Sequence, residues 1–437
     1  MSLGELLLQL LQAGWLGLLD YLAAHVLLCL VPAFFIAGFL SLIPKETITR
    51  YLGPRTPRAI SYPAAALGGF VLAVCSCTIL PLFAGIWKRG AGLGPAITFL
   101  FVGPAVNILA ISYTGAAIGG DIALARLVLA IAFGILIGLI MAVVFRHAQP
   151  ASPAPGMFEG QARMRPALWA MFGLLLAVLI AGTLQIDLLT GTLISVTLPI
   201  ELSDGLQSAL DALHLTPQGA LLIALLVIIA PAAWKGLNDV VNGFNRWTWS
   251  ALGLVMATLL LAAPTTASGS LIIHFTGRFV VEAALLAALV AVARRNLSAE
   301  ELANWLSETW RFVKQIFPLL LIGVFAAGVV RSIVPENWIR ALAGQNTLAA
   351  NALGVLFGVF MYFPTLVEVP IARMFLDLGM HKGPLLAYLL ADPELSLQSI
   401  LVTGKILGRQ KTAAYVGLVA VFSTLAGYLF GALLAAL

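Results

Sequence analysis

From Leu127 to Phe145 the chain runs nineteen residues without a charged side chain, which is long enough to cross the hydrocarbon core of a bilayer as a helix. Comparable apolar runs recur along the whole sequence. Inside hydrocarbon every backbone N–H and C=O must be paired within the protein, so only helices or closed barrels can cross. The two-residue alternation of a barrel strand is absent, and the runs are read as helices. Composition agrees, with 61% of the 437 residues apolar and 10% charged, against about 25% charged in a soluble domain. The net charge of +5 is spread without a basic cluster, which excludes a nucleic-acid partner.

The expected class is an all-α polytopic membrane protein with about ten transmembrane helices. The candidate spans are 21–43, 95–118, 122–145, 166–185, 218–234, 247–264, 271–293, 312–333, 384–404 and 412–436. Residues 1–20 read as an interfacial helix, and no Lys or Arg precedes Lys45 to mark the basic start of a cleavable leader. Two stretches, 60–87 and 348–376, are too long and too interrupted for one span. The first is broken at Cys75-Ser76-Cys77 and Pro81, the second at Pro364 and Pro370, because proline removes a helix donor and clashes with the preceding turn. Each is expected to be a re-entrant hairpin of two half-helices. Charge supports that reading: with both stretches re-entrant, 18 of the 24 Lys and Arg fall on one side of the membrane. Such a bias marks the cytoplasmic side.

The chain also contains a repeat. Offset by 289 positions, 81–138 aligns without a gap onto 370–427, and the matches fall largely on glycine and proline. Pro81 meets Pro370, Gly94-Pro95 meets Gly383-Pro384, Pro104 meets Pro393, and Gly119 and Gly138 meet Gly408 and Gly427. Each copy holds an odd number of crossings and four spans separate the copies, so the second is expected to be inverted across the membrane. The chain is divided accordingly into the N-terminal helix 1–20, a first repeat 21–145, a middle block 146–302 and a second, inverted repeat 303–437. Inverted repeats with broken helices are an architecture of secondary transporters, which bind solute at the breaks near the midplane.

Several residues at these breaks carry chemistry. Cys75 and Cys77 offer soft sulfur, suited to thiophilic ions or metals. They share one ion only where the chain is not helical, since i and i+2 point apart on a helix. Glu368 lies between Pro364 and Pro370, and Asp392 and Glu394 follow it in the same repeat. Carboxylates inside a membrane are costly and usually functional, so these three are candidates for coupling or cation binding. Asn107 and Ser396 occupy equivalent positions and are candidates for hydrogen bonding to substrate. Cys29 is read as core filler. His274, Arg278 and Glu282, spaced by four, are expected on one face of a helix. No phosphate-binding loop, C-x-x-C or H-E-x-x-H occurs, and no motif calls for a cofactor.

The run Cys75-Ser76-Cys77-Thr78-Ile79-Leu80-Pro81, followed by Lys88-Arg89-Gly90-Ala91 and Gly94-Pro95, resembles a family of predicted permeases. That family includes ArsP-type organoarsenical efflux permeases and YraQ-like proteins. Gly103-Pro104-Ala105-Val106-Asn107 fits the pattern, as does Tyr362-Phe363-Pro364-Thr365-Leu366-Val367-Glu368-Val369-Pro370. The resemblance covers 15–145 and 303–437. It implies an inner-membrane permease of a bacterial or archaeal cell, with efflux of trivalent methylated or aromatic arsenicals known in some members. Asp392-Pro393-Glu394 departs from it, carrying acids where small or apolar residues are expected. The reading is a secondary transporter, not an enzyme, that exports a small thiophilic solute. Its partners are the bilayer and a small molecule or ion, and self-association is left open. The alternatives are a membrane thiol oxidoreductase built on Cys75 and Cys77, or a channel-forming subunit.

Overall fold

The structure, a computed structural model, describes residues 3–24, 26–43, 45–72, 76–106, 108–146, 165–183, 187–197, 204–213, 215–266, 272–332, 342–360 and 365–436. The helices of the first third are α1 (Leu3–Ala24), α2 (Val31–Phe39), α3 (Lys45–Leu52), α4 (Arg58–Leu72), α5 (Ser76–Lys88), α6 (Leu93–Ala105), α7 (Ile108–Ala117) and α8 (Gly120–Val144). The middle third holds α9 (Pro166–Thr183), α10 (Asp187–Thr190), α11 (Asp204–Ala212), α12 (Pro217–Leu237), α13 (Arg246–Ala262) and α14 (Gly277–Asn296). There follow α15 (Ala299–Arg331), α16 (Leu348–Phe360), α17 (Thr365–Asp377), α18 (Lys382–Leu395), α19 (Leu397–Leu407) and α20 (Arg409–Ala436). Among the described residues five helices are long and apolar enough to span a membrane, namely α8, α9, α12, α15 and α20, and up to seven spans result if two bent helix pairs count as one each. The protein is a helical, multi-pass membrane protein.

The chain forms two compact units. One comprises Met1–Gly14, Lys45–Ala162 and Pro318–Leu437, and so holds most of both repeat copies. In it α4, α6 and α8 pack on one another, and α16, α18 and α20 do the same. The central members are the most deeply covered: every residue of α6 is buried, as is every residue of α18 from Gly383 to Leu395.

Glycine makes these approaches close, and it does so at repeat-equivalent positions. A Cβ on Gly94 would lie 2.9 Å from the Gly138 carbonyl oxygen, and one on Gly383 would lie 2.8 Å from that of Gly427. One on Gly69 would meet the Gly103 nitrogen at 2.9 Å, and one on Gly358 would meet the Asp392 nitrogen at the same distance. Backbone-to-backbone packing of this kind is how small residues bring membrane helices together. Gly90 and Gly379, the turns before α6 and α18, adopt positive φ of 91° and 94°, a region open to glycine without a Cβ penalty.

Elements of the two copies also exchange partners. Helix α5 packs on α19, the counterpart of α7, and α7 packs on α17, the counterpart of α5. Phe133 and Phe422, exactly equivalent, face each other with ring centroids 5.3 Å apart.

Three expected spans are not continuous helices. The 21–43 run starts within α1, which runs on from the expected interfacial helix 1–20, and reaches α2 through a π-helical segment at Val26–Leu30. The 95–118 run divides into α6 and α7, and 384–404 divides into α18 and α19 with a 45° bend. Ser396 leaves the helix with φ −53° and ψ 141°. Ser396 makes no capping hydrogen bond to a backbone amide; its hydroxyl instead meets that of Ser399 at 2.8 Å. By contrast Pro81 and Pro370 do not sit at breaks. Each is the sixth residue of a helix, α5 and α17, where the missing N–H removes one early hydrogen bond without stopping the helix.

The second unit comprises Trp15–Pro44 and Arg163–Phe317. Here α9 packs on α14 and α2, and α12 packs on α13 around Ile229, Leu237, Val240, Ala251 and Leu306. Trp305 stands edge-on to Phe35 and Phe39 and donates its indole N–H to the Phe35 carbonyl at 2.8 Å. This unit departs from an all-α fold through a small antiparallel sheet of order β1-β3-β2, formed by β1 (Thr192–Thr197), β2 (Thr265–Thr266) and β3 (Ile272–Thr276). The expected 271–293 span therefore begins as a strand and becomes helical only at Gly277. Thr192, Ile194, Val196, Ile272, Ile273 and Thr276 are β-branched, a side-chain class that packs well on a pleated surface.

Candidate functional site

The first unit holds a set of buried ionisable groups at the ends of its broken helices. Arg126, on α8, has no exposed side-chain surface, and its Nη2 donates to Glu368 Oε2 at 2.9 Å. Glu368 sits in the first turn of α17 and is itself fully buried. Asp392, on α18, is 2% exposed and lies close enough to feel the charges of both Glu368 and Arg126. The first repeat shows the same spacing in apolar form: Gly103 and Ile79 hold the positions equivalent to Asp392 and Glu368, and a Cβ on Gly103 would sit 2.7 Å from Ile79 Cδ1.

Two residues further along α18, Glu394 is 4% exposed and accepts a hydrogen bond from the Tyr415 hydroxyl, which comes from α20. Tyr415 is the repeat counterpart of Arg126. The two equivalent helices thus each send one polar side chain to an acid of the second repeat. Ser396, between α18 and α19, is buried and shares a 2.8 Å hydrogen bond with Ser399. Gln398 is 1% exposed, and neither polar atom of its amide has a partner among the described residues. The same holds for Glu368 Oε1, Asp392 Oδ1, Glu394 Oε1 and Arg126 Nε. Glu368 and Asp392 thus share one guanidinium while Glu394 is held by Tyr415, and each carboxyl keeps one oxygen without a partner among the described residues.

If the hydrogen bond to Glu394 is structural, Tyr415→Phe should destabilise the detergent-solubilised protein by about 1–3 kcal/mol, the cost of leaving a buried acceptor unmet. Unfolding followed by circular dichroism reads this directly.

The structure brings Glu368 and Asp392 together and places Glu394 and Ser396 just beyond Asp392. Pro81 is buried within α5, whereas Pro370 is exposed on α17. Cys75, Asn107 and Pro364 lie outside the described residues, as does the side chain of Cys77. Among the described residues no group of three His, Cys, Asp or Glu could hold a metal ion. In the second unit His274 is on β3 and not on the helix of Arg278 and Glu282; its Nδ1 faces Ser195 Oγ at 2.9 Å. Glu282 is buried, with Gly182 beside it: a Cβ there would lie 3.3 Å from Glu282 Oε1.

Arg126 is the buried cluster residue that sequence reasoning missed. No acid stands three or four residues from it on the side facing into α8, and its partner lies 242 positions away. Its usable signal was the alignment with Tyr415, which puts both on the interior face of equivalent helices.

Broken apolar helices around a buried ionic cluster define a membrane permease. The chain belongs to the family described as predicted permease (ArsP_1), whose model matches residues 12–432. It is 37% identical over 420 residues to the UPF0718 protein MJ0584 of Methanocaldococcus jannaschii, covering 95% of this chain and 94% of that one. No solved structure matches the chain.

Proposed function

We propose that the protein is a secondary transporter of the cell (inner) membrane that exports a small thiophilic solute, either a trivalent organoarsenical or a metal ion. The observation that carries the transport reading is the sharing of one guanidinium, Arg126, by Glu368 and Asp392 in the interior of the first unit, with Glu394 buried against Tyr415. Carboxylates without counter-charge in a membrane interior are sustained by a proton or a bound cation and mark ion pathways. Glu368, with Asp392, would carry the coupling ion, and Glu394 with Tyr415 would form a neighbouring station. Asn107, Ser396 and the backbone freed at the helix breaks would contact the solute.

The thiophilic reading rests on Cys75 and Cys77. Cys77 is the second residue of α5, and Cys75 lies outside the described residues. Sulfurs two residues apart converge on one ion only off a regular helix, and the reading requires that of Cys75. The inversion of 303–437 relative to 21–145, with the middle block 146–302 between them and ten spans in all, is proposed from the charge bias and the crossing count. The exchange of partners among α5, α7, α17 and α19 supports a two-fold relation between the copies. The Phe133–Phe422 pair supports it too, since equivalent residues touch only near a two-fold axis.

Everted vesicles containing the full-length protein, screened with trivalent arsenicals and transition-metal ions, test the proposal. The expected result is gradient-dependent uptake that Cys75→Ser lowers at least tenfold, because a hydroxyl is a poor ligand for soft ions. Glu368→Gln is expected to preserve solute binding and stop turnover. Undiminished transport by Cys75→Ser would remove the thiophilic assignment, and undiminished turnover by Glu368→Gln would remove the coupling role.

A further inference from the structure

A second polar feature of the first unit lies where α19 gives way to α20. An open trough of about 480 Å³ is walled by Leu319, Ile400, Leu401 and Val416, and its charged side chains are Lys405 and Arg409. Both cations are exposed, and neither forms an ion pair or hydrogen bond among the described residues. Thr412 also lines the trough; it is 4% exposed, and its Oγ1 has no partner among the described residues. That is unusual here. Thr114, Thr183, Thr258 and Thr309 each donate the hydroxyl to the carbonyl four residues back, the ordinary resting place for a helical threonine.

Charge at this helix start runs against expectation. The first turn of α20 holds Arg409 and Lys411 and no acid. The amino end of a helix carries partial positive charge and unpaired amides, so cations there are unfavourable and an anion is favoured. Lys411 lies over the Trp87 ring at 5.3 Å, which leaves Arg409 with Lys405 for the trough. The first repeat offers nothing comparable, since Ala116, Gly120 and Ala123 stand where Lys405, Arg409 and Thr412 stand in the second. The trough belongs to one end of the molecule, and by charge bias that is the cytoplasmic end.

We infer that this trough binds an anionic phospholipid. The phosphodiester sits between Lys405 and Arg409 at the amino end of α20 and accepts the Thr412 hydroxyl proton as a hydrogen bond, while an acyl chain follows Leu319, Leu401 and Val416. Basic pockets between membrane helices on the cytoplasmic side take anionic headgroups in this way. The apolar walls select a lipid over a free anion. The site does not depend on the identity of the transported solute.

Native mass spectrometry of the full-length protein in nonionic detergent, titrated with phosphatidylglycerol, phosphatidylcholine or inorganic phosphate, tests this. Phosphatidylglycerol should be retained well above phosphatidylcholine. Each cation is expected to contribute about fivefold, so Lys405→Gln with Arg409→Gln should weaken phosphatidylglycerol binding by roughly 25-fold and erase the preference. Thr412→Val should weaken it several-fold. The charge-preserving pair Lys405→Arg with Arg409→Lys should retain the preference and reports that the fold is intact. The control pair Arg294→Gln with Arg295→Gln should change nothing. Unchanged binding in the glutamine pair, or an equal loss in the control pair, overturns the site. Displacement of the lipid by millimolar inorganic phosphate overturns the lipid assignment in favour of a free-anion site.

Discussion

Arg126→Met is expected to be among the most damaging single changes in the protein, costing about 3–5 kcal/mol of stability. The reason is the company the guanidinium keeps. Glu368 is its hydrogen-bonded partner at 2.9 Å, and Asp392 is near both. Taking the cation away leaves two neighbouring carboxyls in a fully buried setting with no counter-charge. Glu368→Gln in the same chain should recover most of the loss, because the amide needs no positive partner. A double-mutant cycle on detergent-solubilised protein, read by chemical unfolding, gives the coupling energy. Additive losses in the two single variants would mean that the ion pair is not formed in the native state.

The contrast between what could be read from the sequence and what could not follows from the range of each interaction. Helical character was legible because it is set locally, by apolar runs with few charges. The repeat was legible because its glycines and prolines are constrained by backbone geometry: Gly94 with Gly138 and Gly383 with Gly427 each place carbonyl oxygens where a Cβ would go. The buried acids Glu368, Asp392 and Glu394 stood out as charges inside apolar segments. Their partners did not. Arg126 and Tyr415 lie on other helices, and a span carrying a single arginine looks the same whether that residue faces lipid headgroups or a carboxylate.

The breaks were only half legible. Proline drew attention to Pro81 and Pro370, yet the chain accommodates both within helices. It breaks at Ser396, whose extended backbone ends α18, and between α6 and α7, while the breaks expected at Cys75 and Pro364 fall outside the described residues. An apolar run with one small polar residue reads as a plain span unless the polar residue is recognised as a helix start. The strands β1 and β3 escaped for a related reason. Five or six β-branched residues at the edge of a long apolar segment are absorbed into the span that follows, and only pairing between residues about 80 positions apart, such as Ser195 with His274, reveals them. His274 was thereby assigned to the wrong element.

Glycine-mediated packing gives the second large expected effect. Helices α8 and α20 approach their partners through Gly138 and Gly427, where a Cβ would lie 2.6 Å from the Gly94 oxygen and 2.5 Å from the Gly383 oxygen. Neither obstacle is a movable side-chain tip; both are backbone. Gly138→Ala must therefore push α8 away from α6 and stretch the 2.9 Å hydrogen bond from Thr98 Oγ1 to the Gly134 carbonyl. Gly427→Ala must do the same to α20 and α18, beside the amide oxygen of Asn351 at 2.3 Å from the added Cβ. Overpacking of a close-packed core costs about 1–3 kcal/mol and sometimes more, and backbone obstacles place both variants at or above the upper end. Gly417, on the same helix as Gly427, has open space where its Cβ would go. Gly417→Ala should instead be neutral or stabilising by up to about 1 kcal/mol, through helix propensity alone. Comparable losses at 138 and 427 with no loss at 417, measured by thermal unfolding in detergent, are the expected pattern. A loss at 427 without one at 138 would mean that the two copies do not pack by the same backbone contact.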